Sequence, residues 1–541
     1  MIAYRSGIDG SEQRAALCGP LAPPPGVALP LLVELVPGSI NALEKTLEAG
    51  QLHLGLVGEP AVWLRPGARG PGTVFQGYGE VDVLEAIAAA GARYAIDPRR
   101  ISLYGTSMGG AGTWYLSSHH PDRFAAVAPF SGYNDYRLWG RPGGMTFPLF
   151  PWEEPSWRAR SAIFRLENLR HTGIWIVHGA WDRAVGGGVA VAHARNSAAR
   201  LDALGIPYRY SELPETGHGA YGAALRSGLF GDVLRWMVAQ RRPQAPARLT
   251  LATGELRHPG GDWIAVRQLT TYGGPEARIE ATAGALRLDG DLFGARRLVV
   301  GPAPGATAAT RLRVDGALLP GADARTAVGL RRGAGGGWEV AGAAPPAGEK
   351  RPGLAGPFGD LFGRGTVLVT GTTGSAEERF FLDWSARDAA QFFRTWNGGV
   401  HRGGIAGDNH VDLPVLTDAA YRASGDTTRN VIAFGTPATN ALLAELAGPL
   451  GLEFGADRVR LRGREWRGAQ IALIAVLPHP DGGDRYLAVH GGATPDAITN
   501  GAHLHWQLLP DYLVYDGERV VEWGHFDNAW QPPDAPPPGR P

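Results

Sequence analysis

Cysteine and lysine are almost missing from this chain of 541 residues. Cys18 stands alone, so no intrachain disulfide can form and a zinc–thiolate cluster is excluded. Lys45 and Lys350 are the only lysines, and the remaining positive charge is arginine, which reads as GC-rich bacterial coding bias rather than function. Net charge is missing too. Lys+Arg and Asp+Glu are 52 each, which argues against nucleic acid or an anionic membrane recognised by bulk charge. No apolar run reaches the roughly 18 residues of a membrane-spanning helix. Met1 to Arg5 lack the basic-then-apolar start of a secretion signal, so a soluble, cytoplasmic protein is expected.

What remains is ordinary for a globular protein: 44% hydrophobic and 19% charged residues. The length suggests about three domains. Over residues 1–245, apolar strand-like runs alternate with helical periodicity, which predicts a mostly parallel sheet covered on both faces. Its strands are expected at Leu31–Val36, Gln51–Val57, Ala61–Leu64, before Ser107, Phe124–Phe130, Gly173–Val177 and Tyr208–Leu213. Helices are expected at Ala42–Leu47, Glu80–Ala95, after Ser107, and at Val189–Leu204 and Tyr221–Gln240. Residues 241–248 read as a linker. Residues 249–345 change to short alternating runs between Gly/Pro/Asp turns, the pattern of a small β-sandwich. From 346 to 530 the α/β rhythm returns in a second, Rossmann-like domain, and 531–541 form a proline-rich, disordered tail.

The first domain is organised around Gly105-Thr106-Ser107-Met108-Gly109. With 79 glycines in the chain the bare G-x-S-x-G pattern is weak, but an apolar strand precedes it and a helical pattern follows. That context predicts a sharp turn exposing the Ser107 hydroxyl at a helix N-terminus, where developing negative charge is favoured. A serine needs a base beside it, and the base needs a carboxylate to orient it. His178-Gly179-Ala180-Trp181-Asp182 puts an acid beyond the end of a strand, and Gly217-His218-Gly219 puts a histidine in the next loop. The order Ser…Asp…His is that of α/β-hydrolases. Glu215 is the rival acid, set aside because it lies too near His218 in sequence.

These motifs, with Tyr94-x-x-Asp97-x-x-Arg100, His120-Pro121-Asp122-x-Phe124-Ala125-Ala126 and Asp182-x-x-Val185, resemble the α/β-hydrolase domain of the prolyl oligopeptidase and bacterial esterase families. The resemblance covers residues 1–240. It implies Ser107 as nucleophile, Asp182 as acid and His218 as base, with no cofactor and no metal. Residues 346–525 resemble a C-terminal region appended to some bacterial members. The family usually has His-Gly after the third strand, where a backbone N–H completes the oxyanion hole. Here the strand runs into Pro37-Gly38-Ser39, and Pro37 has no N–H. Gly38, with Ser39 second, is therefore the expected donor beside Met108. The large N-terminal propeller of the family is not expected here, and neither is gating of substrates by length.

Residues 132–158 hold Tyr133, Tyr136, Trp139, Phe147, Phe150, Trp152 and Trp157, where α/β-hydrolases insert caps. Tyr133, Trp152, Trp157 and Trp181 are taken as substrate-binding, for an acyl or aryl pocket, with core packing of the 132–158 aromatics against the second half of the protein as the alternative. Other clusters read as structural: His178 at a strand end, His119 and His120 as helix caps, Glu153-Glu154 as a solvated acidic pair, and His401, Asp408 and His410 as loop residues. Gly371-Thr372-Thr373-Gly374 lacks the lysine and spacing of a phosphate loop. The expected activity is hydrolysis of a small or polymeric ester, with peptide hydrolysis or a decayed, non-catalytic binding domain as alternatives. No nucleic-acid or membrane partner is expected.

Overall fold

A strand with no exposed face must lie inside a sheet covered on both sides. Leu29–Leu35 (β3) is buried at all seven positions. In the computed structural model, which describes residues 1–36, 43–70, 73–139, 150–183, 188–284, 287–289, 292–395 and 413–534, β3 pairs in parallel with Val62–Pro66 (β4) and with Ile96–Thr106 (β5). Ala126–Phe130 (β6), Gly173–Gly179 (β7) and Arg209–Leu213 (β8) extend the parallel set, and Ile2–Arg5 (β1) and Glu12–Cys18 (β2) form the antiparallel edge. The order is β1-β2-β4-β3-β5-β6-β7-β8.

Alternate residues of each strand feed two separate cores. Leu31, Val33, Leu103, Ile174 and Ile176 face one, with Val83 and Trp114 from the helices Tyr78–Arg93 and Met108–His119. Leu32, Tyr104, Trp175 and Val177 face the other, with Val57 and Phe230 from Leu43–Val57 and Leu229–Ala239. Because β3 to β8 run parallel, their C-terminal ends meet at one edge of the sheet. The loops after β5, β7 and β8 emerge there together.

Three expectations need correction. Gln51–Val57 is not a strand but the second half of the helix Leu43–Val57. Leu52 is exposed while His53 and Val57 are buried, a helical spacing that the Leu52, Leu54, Leu56 alternation conceals. The closing helix breaks at Gly228 (φ 83°) into Ala220–Ser227 and Leu229–Ala239. Residues 241–248 are not a free linker: Arg242 is buried, donates to the Pro121 carbonyl and forms an ion pair with Asp262.

Residues 248–341 form two five-stranded sheets, and both contribute to one core: Leu251 and Ile279 from one, Val266, Leu298 and Leu330 from the other. The last unit has a seven-stranded sheet. Val415–Thr417, Thr366–Thr370, Asn430–Phe434 and Tyr486–Gly492 run parallel. Ile471–Pro478, Tyr512–Asp516 and Arg519–Gly524 complete it antiparallel. Its sheet is therefore mixed, four strands parallel and three antiparallel. This unit is not separate from the first, since Ile8 and Tyr78 share its core and Leu508 enters the core of the first unit. No helix among the described residues is long and apolar enough to cross a membrane.

Candidate active site

The chain leaves β5 through Ser107, whose φ of 57° and ψ of −113° are a strained combination for a residue with a Cβ. The strain is held at both ends. Ser107 N–H donates to the Phe130 carbonyl at 2.8 Å, and its own carbonyl accepts from Ala111 N–H at 2.9 Å, the first turn of the following helix. The side chain is thereby set above the sheet at the helix N-terminus. Met108 is the first helical residue, so its N–H has no carbonyl of its own helix to bind.

β7 supplies the acid. Its last residue, Gly179, runs so close to the next loop that a Cβ there would stand 2.2 Å from the Gly217 carbonyl oxygen. Without that contact the Asp182 and His218 loops could not meet. His218 Nδ1 lies 2.8 Å from Asp182 Oδ2, and His218 Nε2 lies 2.8 Å from Ser107 Oγ. Asp182 is buried, and Val189 N–H donates to its Oδ1 at 3.0 Å. Burial alone would raise its pKa. Hydrogen bonds from His178 and His218, reinforced by their charges, outweigh burial and hold the carboxyl well below the usual range. The neighbour that sequence reading set aside as structural, His178, lies with Nε2 3.3 Å from Asp182 Oδ2 and 2.9 Å from the Val189 carbonyl oxygen. Its spacing of four from Asp182 was the available signal. Glu215, the rival acid, is exposed, and His218 Nδ1 is paired with Asp182 instead.

Residues 77–242 match the prolyl oligopeptidase family. This segment is a prolyl oligopeptidase family domain. An uncharacterized secreted protein of Arthroderma benhamiae is 30% identical over 169 residues, covering 29% of this chain and 17% of the relative. Among solved structures, a thermostable esterase is 22% identical over 44% of this chain and 62% of its own, with a TM-score of 0.35. Dipeptidyl peptidase 4 of Porphyromonas gingivalis is 18% identical over 44% and 35%, with a TM-score of 0.36. A puromycin-hydrolyzing peptidase of Mycobacterium tuberculosis is 20% identical over 43% and 39%, with a TM-score of 0.34. The chain thus spans less than two thirds of each relative's length. The family makes this domain a serine hydrolase domain.

Around the prolyl oligopeptidase domain's three aligned residues, the expected substrate side chains divide. Trp181 is 60% exposed beside Asp182. Tyr133 is buried, its ring stacked 4.2 Å from Trp139. Trp157 is buried in the domain core against Tyr136, with its indole N–H toward Glu153 at 3.4 Å. Trp152 stacks 4.6 Å from Phe150 and packs against the core of the last α/β unit. Trp152 and Trp157 therefore stand in packing positions, because the insertion is buttressed by the C-terminal unit, as Ser156 Oγ donating to the Leu508 carbonyl also shows. Glu153 is not solvated but buried, 2.6 Å from His505. His120 caps the C-terminus of Met108–His119, its N–H donating to the Leu116 carbonyl at 3.0 Å, while its side chain turns to Glu80. The Gly371–Gly374 loop has no open cradle: a Cβ on Gly371 would stand 1.7 Å from the Thr439 carbonyl oxygen. Gly38, Ser39, Phe147, Val185, His401, Asp408 and His410 lie outside the described residues.

Proposed function

We propose that the chain is a serine esterase working through an acyl-enzyme, with Ser107 as nucleophile, His218 as general base and then general acid, and Asp182 as its orienter. The observation that carries this is the pair of 2.8 Å contacts joining Ser107, His218 and Asp182. With Nδ1–H donated to Asp182, the tautomer of His218 is fixed and Nε2 is left as the acceptor for the serine proton. Attack on the carbonyl moves that proton to Nε2, and the buried carboxylate stabilises the imidazolium. Collapse of the tetrahedral intermediate returns the proton to the leaving oxygen, and water repeats the sequence on the acyl-enzyme. Charge developing on the substrate oxygen falls at the helix N-terminus, within reach of the Met108 N–H, with Gly38 as the proposed second donor.

The preference for esters rests on the leaving group and on the site's surroundings. An amine must be protonated as it departs and its amide is the less reactive carbonyl, so peptide cleavage relies on groups that grip the rest of the chain. Glu153, an acid that could hold a peptide's amino terminus, is buried against His505 instead. Trp181, next to Asp182 in the chain, is open and offers an apolar face suited to an acyl or aryl group. A side-by-side assay of p-nitrophenyl acyl esters against aminoacyl and prolyl anilides tests this. The esters should show the higher kcat/KM. An anilide with the higher value makes the chain a peptidase.

A further inference from the structure

Glu80 lies in the first turn of Tyr78–Arg93, His120 directly follows Met108–His119, and His258 belongs to the neighbouring β unit. Glu80 Oε1 is 2.7 Å from His120 Nε2 and 2.6 Å from His258 Nε2. Glu80 Oε2 accepts from Arg257 at 2.7 Å and from the Tyr115 hydroxyl at 3.1 Å. Glu80 and His258 are buried, His120 is partly open, and the three donor atoms lie within 4.8 Å of one another.

A network of hydrogen bonds alone leaves one atom unexplained. If His258 donates its Nε2–H to Glu80, its Nδ1 is a bare acceptor. That atom is buried without a hydrogen-bond partner, and the group facing it is the Glu255 carboxylate, with Oε2 at 3.9 Å. Two acceptors turned toward each other in a buried place repel. A cation on Nε2 removes the conflict. A metal-bound imidazole carries its proton on Nδ1, here aimed at Glu255, the outer carboxylate such ligands commonly use.

We propose that Glu80, His120 and His258 bind a zinc ion that clamps the β unit to the hydrolase domain. Two neutral imidazoles and one carboxylate are a zinc donor set. Bonds of about 2.0–2.2 Å would part the donors to roughly 3.3 Å, a movement of half an ångström or so at side-chain ends. The fourth position falls to water from the open side at His120. No member of the Ser107 site takes part, so the proposal stands apart from the esterase reading.

The test is the metal content of the full-length chain, purified without chelator and with any histidine tag removed. Elemental mass spectrometry should find about one zinc per chain that survives dialysis. Stripping with 1,10-phenanthroline should lower Tm by several degrees, and added zinc should restore it. His120→Ala, the least buried ligand and so the variant safest for folding, should bring zinc below about a tenth of an equivalent and make Tm insensitive to the chelator. Cobalt(II) in place of zinc should give the visible absorption of a low-coordinate site in the wild type and lose it in the variant. Less than about a tenth of an equivalent of any first-row transition metal in the wild type, with no uptake of added zinc, overturns the proposal and leaves Glu80 as an ion-paired latch.

Discussion

The carbonyl oxygen of Leu35 lies 1.8 Å from the point that a Cβ on Gly109 would occupy. The same oxygen lies 2.4 Å from the corresponding point on Gly105. Neither glycine is among those with positive φ, so what the motif requires at these two places is space rather than left-handed backbone. Leu35 ends the central strand and its carbonyl cannot retreat without breaking β3. Gly109→Ala should therefore destabilise the protein by about 2–4 kcal/mol, the range of overpacking and backbone strain combined. Urea denaturation checks this, and a midpoint equal to wild type would show that β3 and the elbow can part freely.

Ser107→Ala should remove hydrolysis by a factor on the order of 10⁶ in kcat while leaving the far-UV circular dichroism and Tm unchanged. The strained turn is held by backbone bonds at Phe130 and Ala111, neither of which uses the hydroxyl. Activity near wild type in a clean preparation would place the chemistry elsewhere.

His178 should act through Asp182. Its Nε2 bridges Asp182 Oδ2 and the Val189 carbonyl, so its loss frees the acid to turn away from His218. His178→Leu should lower kcat by roughly 10–100-fold with little change in KM, and His178→Gln, whose amide can still donate, should recover part of it. Equal kcat and KM losses in both variants would mean that His178 only supports packing.

Acid should destabilise the fold through two buried imidazoles remote from the triad. His53 lies between the hydroxyls of Tyr104 and Tyr221, and burial lowers it to about 4. His490 lies beneath Trp506, and burial lowers it to about 3. A depressed folded pKa means that the unfolded chain takes the proton first. The stability is fully present above the unfolded value of about 6.5 and is lost as pH falls from there to the folded values of about 4 and about 3, on the order of 1–3 kcal/mol for each ring. Asp360, raised to about 6 chiefly by burial, has the opposite sign, its contribution being lost as pH rises toward 6. Urea midpoints at pH 7 and 4.5 should fall further in wild type than in His53→Gln. An undiminished fall in that variant contradicts the assignment for His53.

Trp181 and Trp157 should separate function from packing. Trp181→Ala should change preference among acyl chain lengths with Tm unmoved, since the ring is mostly exposed. Trp157→Ala should cost about 3–5 kcal/mol and depress all substrates alike. Altered selectivity in Trp157→Ala without loss of Tm would return that ring to the pocket.

The site was legible in sequence because each of its parts is local. Gly-Thr-Ser-Met-Gly, the Asp182 loop and Gly217-His218-Gly219 each fit within one turn after an apolar strand, and their order does the rest. The packing role of Trp152 was legible only as the second of two readings, because its partners arrive from the core of the last α/β unit. The Glu80 cluster was hidden for the same reason, its members being drawn from positions 80, 120 and 258. The helix Leu43–Val57 was misread because three leucines at alternate positions imitate a strand, although the residue actually buried among them is His53. Half of the seven-stranded sheet was missed because an antiparallel hairpin such as Tyr512–Asp516 with Arg519–Gly524 carries no helix to announce it.

Reaction with a fluorophosphonate tests the central claim most directly, because the reagent reports an activated serine whatever the natural substrate. Intact-mass and peptide mapping of the full chain should show one adduct, on Ser107, absent from Ser107→Ala and slowed in Asp182→Asn. No adduct, or an adduct on another serine with Ser107 untouched, would contradict the assignment of Ser107, His218 and Asp182 as working catalytic machinery.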